Sequence, residues 1–247
     1  MATFFIRKLE RFTKLSGDEK RALDEAVSRT TRQLGPREDF VQEGDKPRHI
    51  SLIIEGWATR YKVLEDGRRQ IIGFLLPGDL CDVRMFILKQ MDHSIGTVSR
   101  AKIAEVPADT VISLTDTHPR LSRALWWNSL VEEAIQREWI VNLGQRDAFE
   151  RMAHLFCELF IRLRAVGLTN DTSCQLPLTQ VDLGEAMGIS TVHVNRTLMD
   201  LRGAGLIVLK GKTCTIPDLD ALQEAGLFNA NYLHLDRDGR HLDTNEP

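Results

Sequence analysis

The sequence predicts an α+β chain in three successive parts: a strand-rich first half, one long helix, and a helical end closed by a small hairpin. Three observations predict it. Between about Gln33 and Leu114 the chain breaks into short β-type runs, ISLIIEG, ATRYKV, RQIIGFLL and IAEVPA. From Pro119, the segment HPRLSRALWWNSLVEEAIQREWIVNL has no further proline and no glycine until Gly144. The stretch GISTVHVNRTLMDLRGAGLI, residues 188–207, then carries helical apolar spacing on one side and Ser, Thr, His, Asn and Arg on the other.

The β-type runs are separated by glycine turns at EGD (43–45), EDG (65–67) and PGD (77–79). Frequent short strands with regular turn signals indicate an all-β barrel or sandwich. A β-helix would need a fixed short period, and the segment has none. A short helix over Ser16 to Ser28 precedes the strands. The expected divisions are 1–118 for the β domain, 119–146 for the long helix and 147–235 for the helical end. Residues 236–247, DRDGRHLDTNEP, lack apolar content and are expected to be disordered.

Composition sets the outer bounds. A chain of 247 residues with 43% apolar content can bury a core in one large domain or two modest ones. A net charge of −3 excludes a uniformly basic coat but not a local basic face. The start, MATFFIRKLERF, has no sustained apolar core and no small-residue cleavage site, so no secretion signal is read. No apolar run approaches the ~18 residues of a membrane span. Cys81, Cys157, Cys174 and Cys214 lie far apart with no CxxC pair, which argues against a zinc ribbon or disulfide framework and for a reduced cytoplasm.

Along the long helix, Leu121, Ala124 or Leu125, Asn128, Val131, Ile135, Glu138 or Trp139, and Asn142 recur at three- and four-residue steps. Such a stripe reads as an imperfect heptad seam. The expectation is a dimer interface through Leu121, Leu125, Asn128, Val131, Ile135 and Asn142, where paired asparagines can bond each other. The alternative is a helix packed on its own domain. A second helix, Asp147 to about Val166, gathers Phe149, Met152, Ala153, Phe156, Leu159, Phe160 and Leu163 on one face.

Leu178 to Ile207 reads as two helices joined by a tight turn. Thr179 can cap the first, with Asp182 completing a capping box, and Ser190 can cap the second. Gly188 lies where the chain must turn through a left-handed conformation. Gly184 is small where the helices cross, and Leu183, Met187, Ile189, Val194 and Leu198 supply contacts between them. This is the pattern of a helix-turn-helix whose second helix enters the DNA major groove. Val194, Leu198, Leu201 and Leu206 are expected inside; Thr191, Val192, His193, Asn195 and Arg196 are expected outside as base readers. Arginine suits the O6/N7 edge of guanine, asparagine the N6/N7 edge of adenine, and Val192 could touch a thymine methyl. Ser190, Thr179 and Gln180 are placed to meet phosphates. The following IVLKGKTCTI reads as a wing turned at Gly211, with Lys210 and Lys212 beside the DNA backbone.

These elements, in this order, make the chain resemble the Crp/Fnr superfamily of bacterial transcription regulators. The matching segments are EGD at 43–45, LIIEGWATRYKV at 52–63, FLLPGDL at 74–80, the long helix and the winged helix ending LRGAGLI at 201–207. The resemblance implies a jelly roll like that of cyclic-nucleotide-binding domains, a homodimer joined by the long helix, and binding to two-fold-symmetric DNA. It also implies a contact with RNA polymerase, through exposed loops such as 167–175, or steric block of it. In cyclic-AMP-binding members a glutamate after the PGD-like turn holds the ribose and an Arg-Ser pair grips the phosphate. The corresponding positions are Val83 and Ser94-Ile95, so a guanidinium partner is missing and no cyclic AMP response is expected. Iron–sulfur members carry an N-terminal cysteine cluster, whereas no cysteine precedes Cys81, so that cofactor is not expected either. Cys81 lies near the ligand position of haem-sensing relatives and His93 follows it, yet Cys81 reads better as a small buried thiol. Of the recognition-helix positions that cyclic-AMP-type members use, here Thr191, Val192 and Arg196, the arginine is kept only at Arg196.

Two other classes remain open from sequence. One is an enzyme using Cys81 with His93, or Cys157 with His154, as nucleophile and base. The other is a ligand- or redox-sensing β-roll with weak DNA binding.

Overall fold

The computed structural model describes residues 2–46, 48–81, 88–236 and 239–240. The chain divides into two compact units, one of residues 1–62, 73–133 and 234–247, the other of residues 63–72 and 134–233.

The first unit opens with helices α1 (Thr3–Leu9) and α2 (Gly17–Ser28). Ser16 caps α2 through a complete capping box with Glu19. Among the described residues eight strands follow, of which residues 63–72, the end of β4 and the start of β5, belong to the second unit: β1 (Thr31–Leu34), β2 (Asp39–Val41), β3 (His49–Glu55), β4 (Ala58–Val63), β5 (Arg69–Leu75), β6 (Leu80–Cys81), β7 (Ser94–Thr97) and β8 (Ala101–Pro107). They form two four-stranded sheets, ordered β1-β8-β3-β6 and β2-β7-β4-β5. Ile50, Leu52, Ile53, Ile95 and Ile103 fill the core. The expected turn glycines Gly44, Gly67 and Gly78 all take φ near +90° (92°, 83° and 93°), where other residues strain.

Three sequence expectations change in this unit. The strand-rich region stops at Pro107, and residues toward Leu114 form helix α3 (Ala108–Thr117), which buries Val111. Helix α1 was not foreseen; it buries Phe5 and Leu9. The tail is not wholly loose, because Gly239 is buried and its N–H donates to the Phe12 carbonyl at 3.1 Å. Residues 237–238 and 241–247 of the expected disordered tail, and Val83 at the ribose-contact position, lie outside the described residues.

The long helix is α4 (Pro119–Gln145). Its face is the main correction. Leu121, Leu125, Asn128, Val131, Ile135 and Asn142, the expected dimer seam, are all buried within the chain itself, none more than 6% exposed. The packing alternative describes this stripe. Arg123, Trp126, Leu130, Glu133, Arg137, Ile140 and Gly144 are the exposed stripe, again at three- and four-residue steps. On it Trp126 is 59%, Leu130 57% and Ile140 70% exposed.

In the second unit, α5 (Ala148–Val166) starts at an Asp147 capping box and ends at left-handed Gly167. Strands β9 (Thr169–Asn170) and β10 (Ser173–Gln175) precede α6 (Gln180–Met187) and α7 (Thr191–Gly203). Strands β11 (Val208–Lys210) and β12 (Thr213–Thr215) complete a sheet ordered β11-β12-β10-β9. A further helix, α8 (Leu219–Ala225), and a 3-10 turn at Ala230–Leu233 pack the end of the chain. Tyr232 in that turn donates its hydroxyl to Glu158 on α5 at 3.0 Å, which docks the segment FNANYLHL, residues 228–235, on that helix.

Candidate nucleic-acid interface

Helix α6 begins where local chemistry demands it. Thr179 Oγ1 accepts the Asp182 N–H at 3.2 Å, and the Asp182 carboxylate accepts the Thr179 N–H at 2.8 Å. The Thr179 hydroxyl also donates to that carboxylate at 2.6 Å. Its one proton is therefore committed, so Thr179 offers a phosphate no donor while the box is closed. Gln180, exposed one residue on, remains the donor at this end.

The turn between α6 and α7 is set by two glycines. Gly188 closes α6 at φ 66°, and its N–H donates to the Gly184 carbonyl. A Cβ on Gly184 would lie 2.8 Å from the Ile189 carbonyl oxygen, so only glycine lets the chain pass this closely. Arg151 of α5 donates to the Met187 carbonyl at 2.6 Å, tying the turn to the helix beneath. On the other side Arg69 Nη1 donates to Glu185 at 2.5 Å and Gln70 Nε2 to the Ala186 carbonyl at 3.3 Å. Arg69, Gln70 and Arg151 were missed from sequence. The first two stand 116 residues from their partners, and no helical or strand period reports such a pairing.

Ser190 caps α7 by accepting the His193 N–H at 3.3 Å. Val194, Thr197, Leu198 and Leu201 are buried, while Leu206 and Ile189 are half-buried. Thr197, also missed, donates to the His193 carbonyl at 3.0 Å and so hides its hydroxyl inside the helix. Thr191, Val192, His193, Asn195 and Arg196 are all exposed. Among the described residues neither Asn195 nor Arg196 has a side-chain hydrogen bond or ion pair. An arginine fork without a partner on a capped helix is free to take a bidentate acceptor.

The wing follows. Gly211 turns β11 into β12 at φ 58°. Lys210 and Lys212 flank it, both exposed. The Lys212 carbonyl accepts the Leu176 N–H at 2.7 Å, which anchors the wing to the strand before α6. The structure thus gathers Gln180, Ser190, the outward residues of α7 and both wing lysines into one unit.

The Cys157–His154 pair lacks an activated nucleophile. Burial pushes the Cys157 thiol up to about 12. Burial, then the nearby Arg146 cation, pulls the His154 imidazole down to about 3. Glu138 lies 3.2 Å from His154 Nε2. That carboxylate is held at 2.8 Å by Arg146, and it lies out of hydrogen-bonding line with the ring, so the imidazole stays neutral. A protonated thiol beside so weak a base is no activated nucleophile. Cys81 is wholly buried, opposite Ser51 in its sheet, and His93 Nδ1 is held by Asp92 at 2.6 Å.

Known proteins share this arrangement. Residues 31–118 match the cyclic nucleotide-binding domain and residues 150–225 the Crp-like helix-turn-helix domain. The nitrogen fixation regulation protein FixK of Bradyrhizobium diazoefficiens is 31% identical over 195 residues, 76% of this chain and 81% of that protein. The anaerobic regulatory protein of Haemophilus influenzae is 29% identical over 212 residues, 85% of this chain and 81% of the relative. The structure of FixK2 from Bradyrhizobium japonicum has the same fold, with a TM-score of 0.70 and 23% identity over 79% of this chain and 96% of that one. With a helix-turn-helix presenting exposed, unpaired polar side chains, and relatives of this kind along most of its length, the chain belongs to the Crp/Fnr family of DNA-binding transcription regulators.

Proposed function

We propose that the protein acts as a homodimer on a two-fold-symmetric operator. The observation that carries this reading is the exposed, unpartnered Asn195–Arg196 pair on the first turns of α7. Arg196 takes the O6/N7 edge of a guanine and Asn195 the N6/N7 edge of an adenine, with Lys210 and Lys212 on phosphates. Two copies pair through the outward stripe of α4, Trp126, Leu130 and Ile140, and set their α7 helices in successive major grooves, about 34 Å apart. The bound dimer meets RNA polymerase in the cytoplasm through loops such as 167–175, or blocks it. No helix among the described residues is long and apolar enough to cross a membrane.

Selection of bound sequences from a random DNA pool tests this. The expected product is a palindrome with a guanine in each half-site and half-site centres one duplex turn apart. A pool that yields no enriched site at low salt refutes it.

The β-roll is proposed to work without cyclic AMP. Where the phosphate grip would stand, Ile95 is wholly buried and the Ser94 hydroxyl oxygen accepts the Glu43 N–H at 3.0 Å. Calorimetry is expected to show no micromolar cyclic AMP binding; a micromolar isotherm overturns this.

A further inference from the structure

The interior of the roll holds a charge cluster that the DNA-reading residues do not use. Arg60 on β4 is only 6% exposed and stands directly opposite Ile95 on β7. Opposed residues of antiparallel strands project to the same side of the sheet. Ile95 is wholly buried, so the Arg60 guanidinium enters the roll beside the position where a phosphate grip was expected.

That guanidinium already holds an anion from the chain itself. Arg60 Nη1 donates to Glu132 Oε2 at 3.0 Å, and Glu132 belongs to α4. The other Glu132 oxygen accepts from Lys8 Nζ of α1, also at 3.0 Å. Lys8 reaches in turn to Asp79 Oδ1 at 2.7 Å, while Asp79 Oδ2 accepts the Leu76 N–H at 2.7 Å and closes the PGD turn. Helix α1 is seated hard on this turn: a Cβ on Gly78 would lie 2.8 Å from the Phe4 backbone. Two cations and two anions thus bind α1, β4, the PGD turn and α4 into one linked set. Each side chain is at least four-fifths buried.

We propose that Glu132 is a built-in anion doing the work of an anionic effector, joining α4 to the roll so that DNA is bound with no small molecule. Low dielectric strengthens such pairs, and each partner depends on the others for compensation. An anionic ligand reaching Arg60 must first displace Glu132, so the roll selects against phosphate-bearing effectors. This rests on the DNA-binding reading above.

The test uses the full-length protein, passed over an anion exchanger, and an operator from the random-pool selection. Wild type is expected to bind with no ligand added. Glu132→Gln is expected to weaken binding tenfold or more while remaining dimeric by sedimentation. Should that variant fold poorly because Arg60 is left unpaired, the double variant Arg60→Gln/Glu132→Gln removes both charges and is expected to show the same loss. Acetate or formate, against chloride at equal ionic strength, is expected to restore binding to Glu132→Ala and leave wild type unchanged. Equal DNA affinity in wild type and in the double variant overturns the inference alone. So does a wild type that binds only once a ligand is supplied. A wild type that binds no DNA under any condition overturns the DNA-binding reading and this inference with it.

Discussion

The outward stripe of α4 makes a prediction that the buried stripe contradicts. Consider Leu130→Ala beside Leu125→Ala. Leu130 is 57% exposed in the free chain and Leu125 only 5%. Fully burying a leucine side chain is worth about 1.5–3 kcal/mol over leaving it in water. With roughly half of Leu130 still to be covered, pairing two copies gains about 1 kcal/mol per protomer, or about 2 kcal/mol per dimer. At about 1.4 kcal/mol per decade, truncation should raise the dimer Kd about 30-fold. Leu125 has already gained its burial inside the chain. Its truncation should cost about 2–5 kcal/mol of folding stability and leave the Kd of the folded fraction nearly unchanged.

Sedimentation equilibrium over a dilution series gives the Kd, and urea denaturation at fixed protein concentration gives the stability. Protein concentration must be matched, because dimer formation itself raises apparent stability. The reasoning fails if Leu130→Ala dimerises as tightly as wild type while folded Leu125→Ala falls apart into monomers.

Other consequences can be checked directly. Arg196→Ala should cost about 1–3 kcal/mol of operator binding and relax selectivity at one base pair per half-site, read by mobility shift on single-base operator variants. Lys212→Ala should weaken all sequences alike and reduce the slope of log affinity against log salt by about 1. Gly184→Ala sets a Cβ 2.8 Å from the Ile189 carbonyl oxygen; overpacking of this kind costs about 1–3 kcal/mol, visible as a lower Tm with DNA affinity falling alongside. His154, held neutral with its pKa drawn from 6.5 to about 3, contributes stability that is fully present above pH 6.5 and lost as pH falls toward 3. At pH 5 about 2 kcal/mol should be gone relative to pH 7, and His154→Phe should flatten that part of the urea-denaturation profile; an unchanged slope rejects the assignment.

The helix-turn-helix was legible because its rules are local. A capping box spans four residues, a left-handed glycine reports its own backbone, and the inward stripe repeats every turn. Thr179, Gly188, Ser190, Val194 and Leu198 all stand where such rules put them. The same holds for the Ser16 cap and the turn glycines of the roll. The short helices were not legible. Helix α1 has seven residues and no side-chain cap, and α3 starts behind Pro107 with none either. Nor could spacing reveal pairings such as Arg60 with Glu132, 72 residues apart, or Arg69 with Glu185. Those contacts exist only once the sheets have closed.

Helix α4 shows why a correct period can still yield the wrong face. Two stripes of three- and four-residue steps run along it, one from Leu121 and one from Arg123. Two residues turn an α-helix through about 200°, so the stripes lie on opposite sides. Periodicity cannot rank them, but the order of association can. Burial within a chain carries no cost of bringing two molecules together, whereas pairing does. The more apolar stripe is therefore claimed by the chain's own core, and one of its two asparagines finds partners there: Asn142 donates to the Arg151 carbonyl at 3.4 Å and its backbone carbonyl accepts from Arg151 Nε at 3.0 Å, whereas Asn128 Oδ1 is buried with no hydrogen-bond partner among the described residues. The remaining face mixes Trp126, Leu130 and Ile140 with Arg123, Glu133 and Arg137. Such a mixture is too polar for a core but suits a seam between copies, where apolar residues supply affinity and opposite charges fix register.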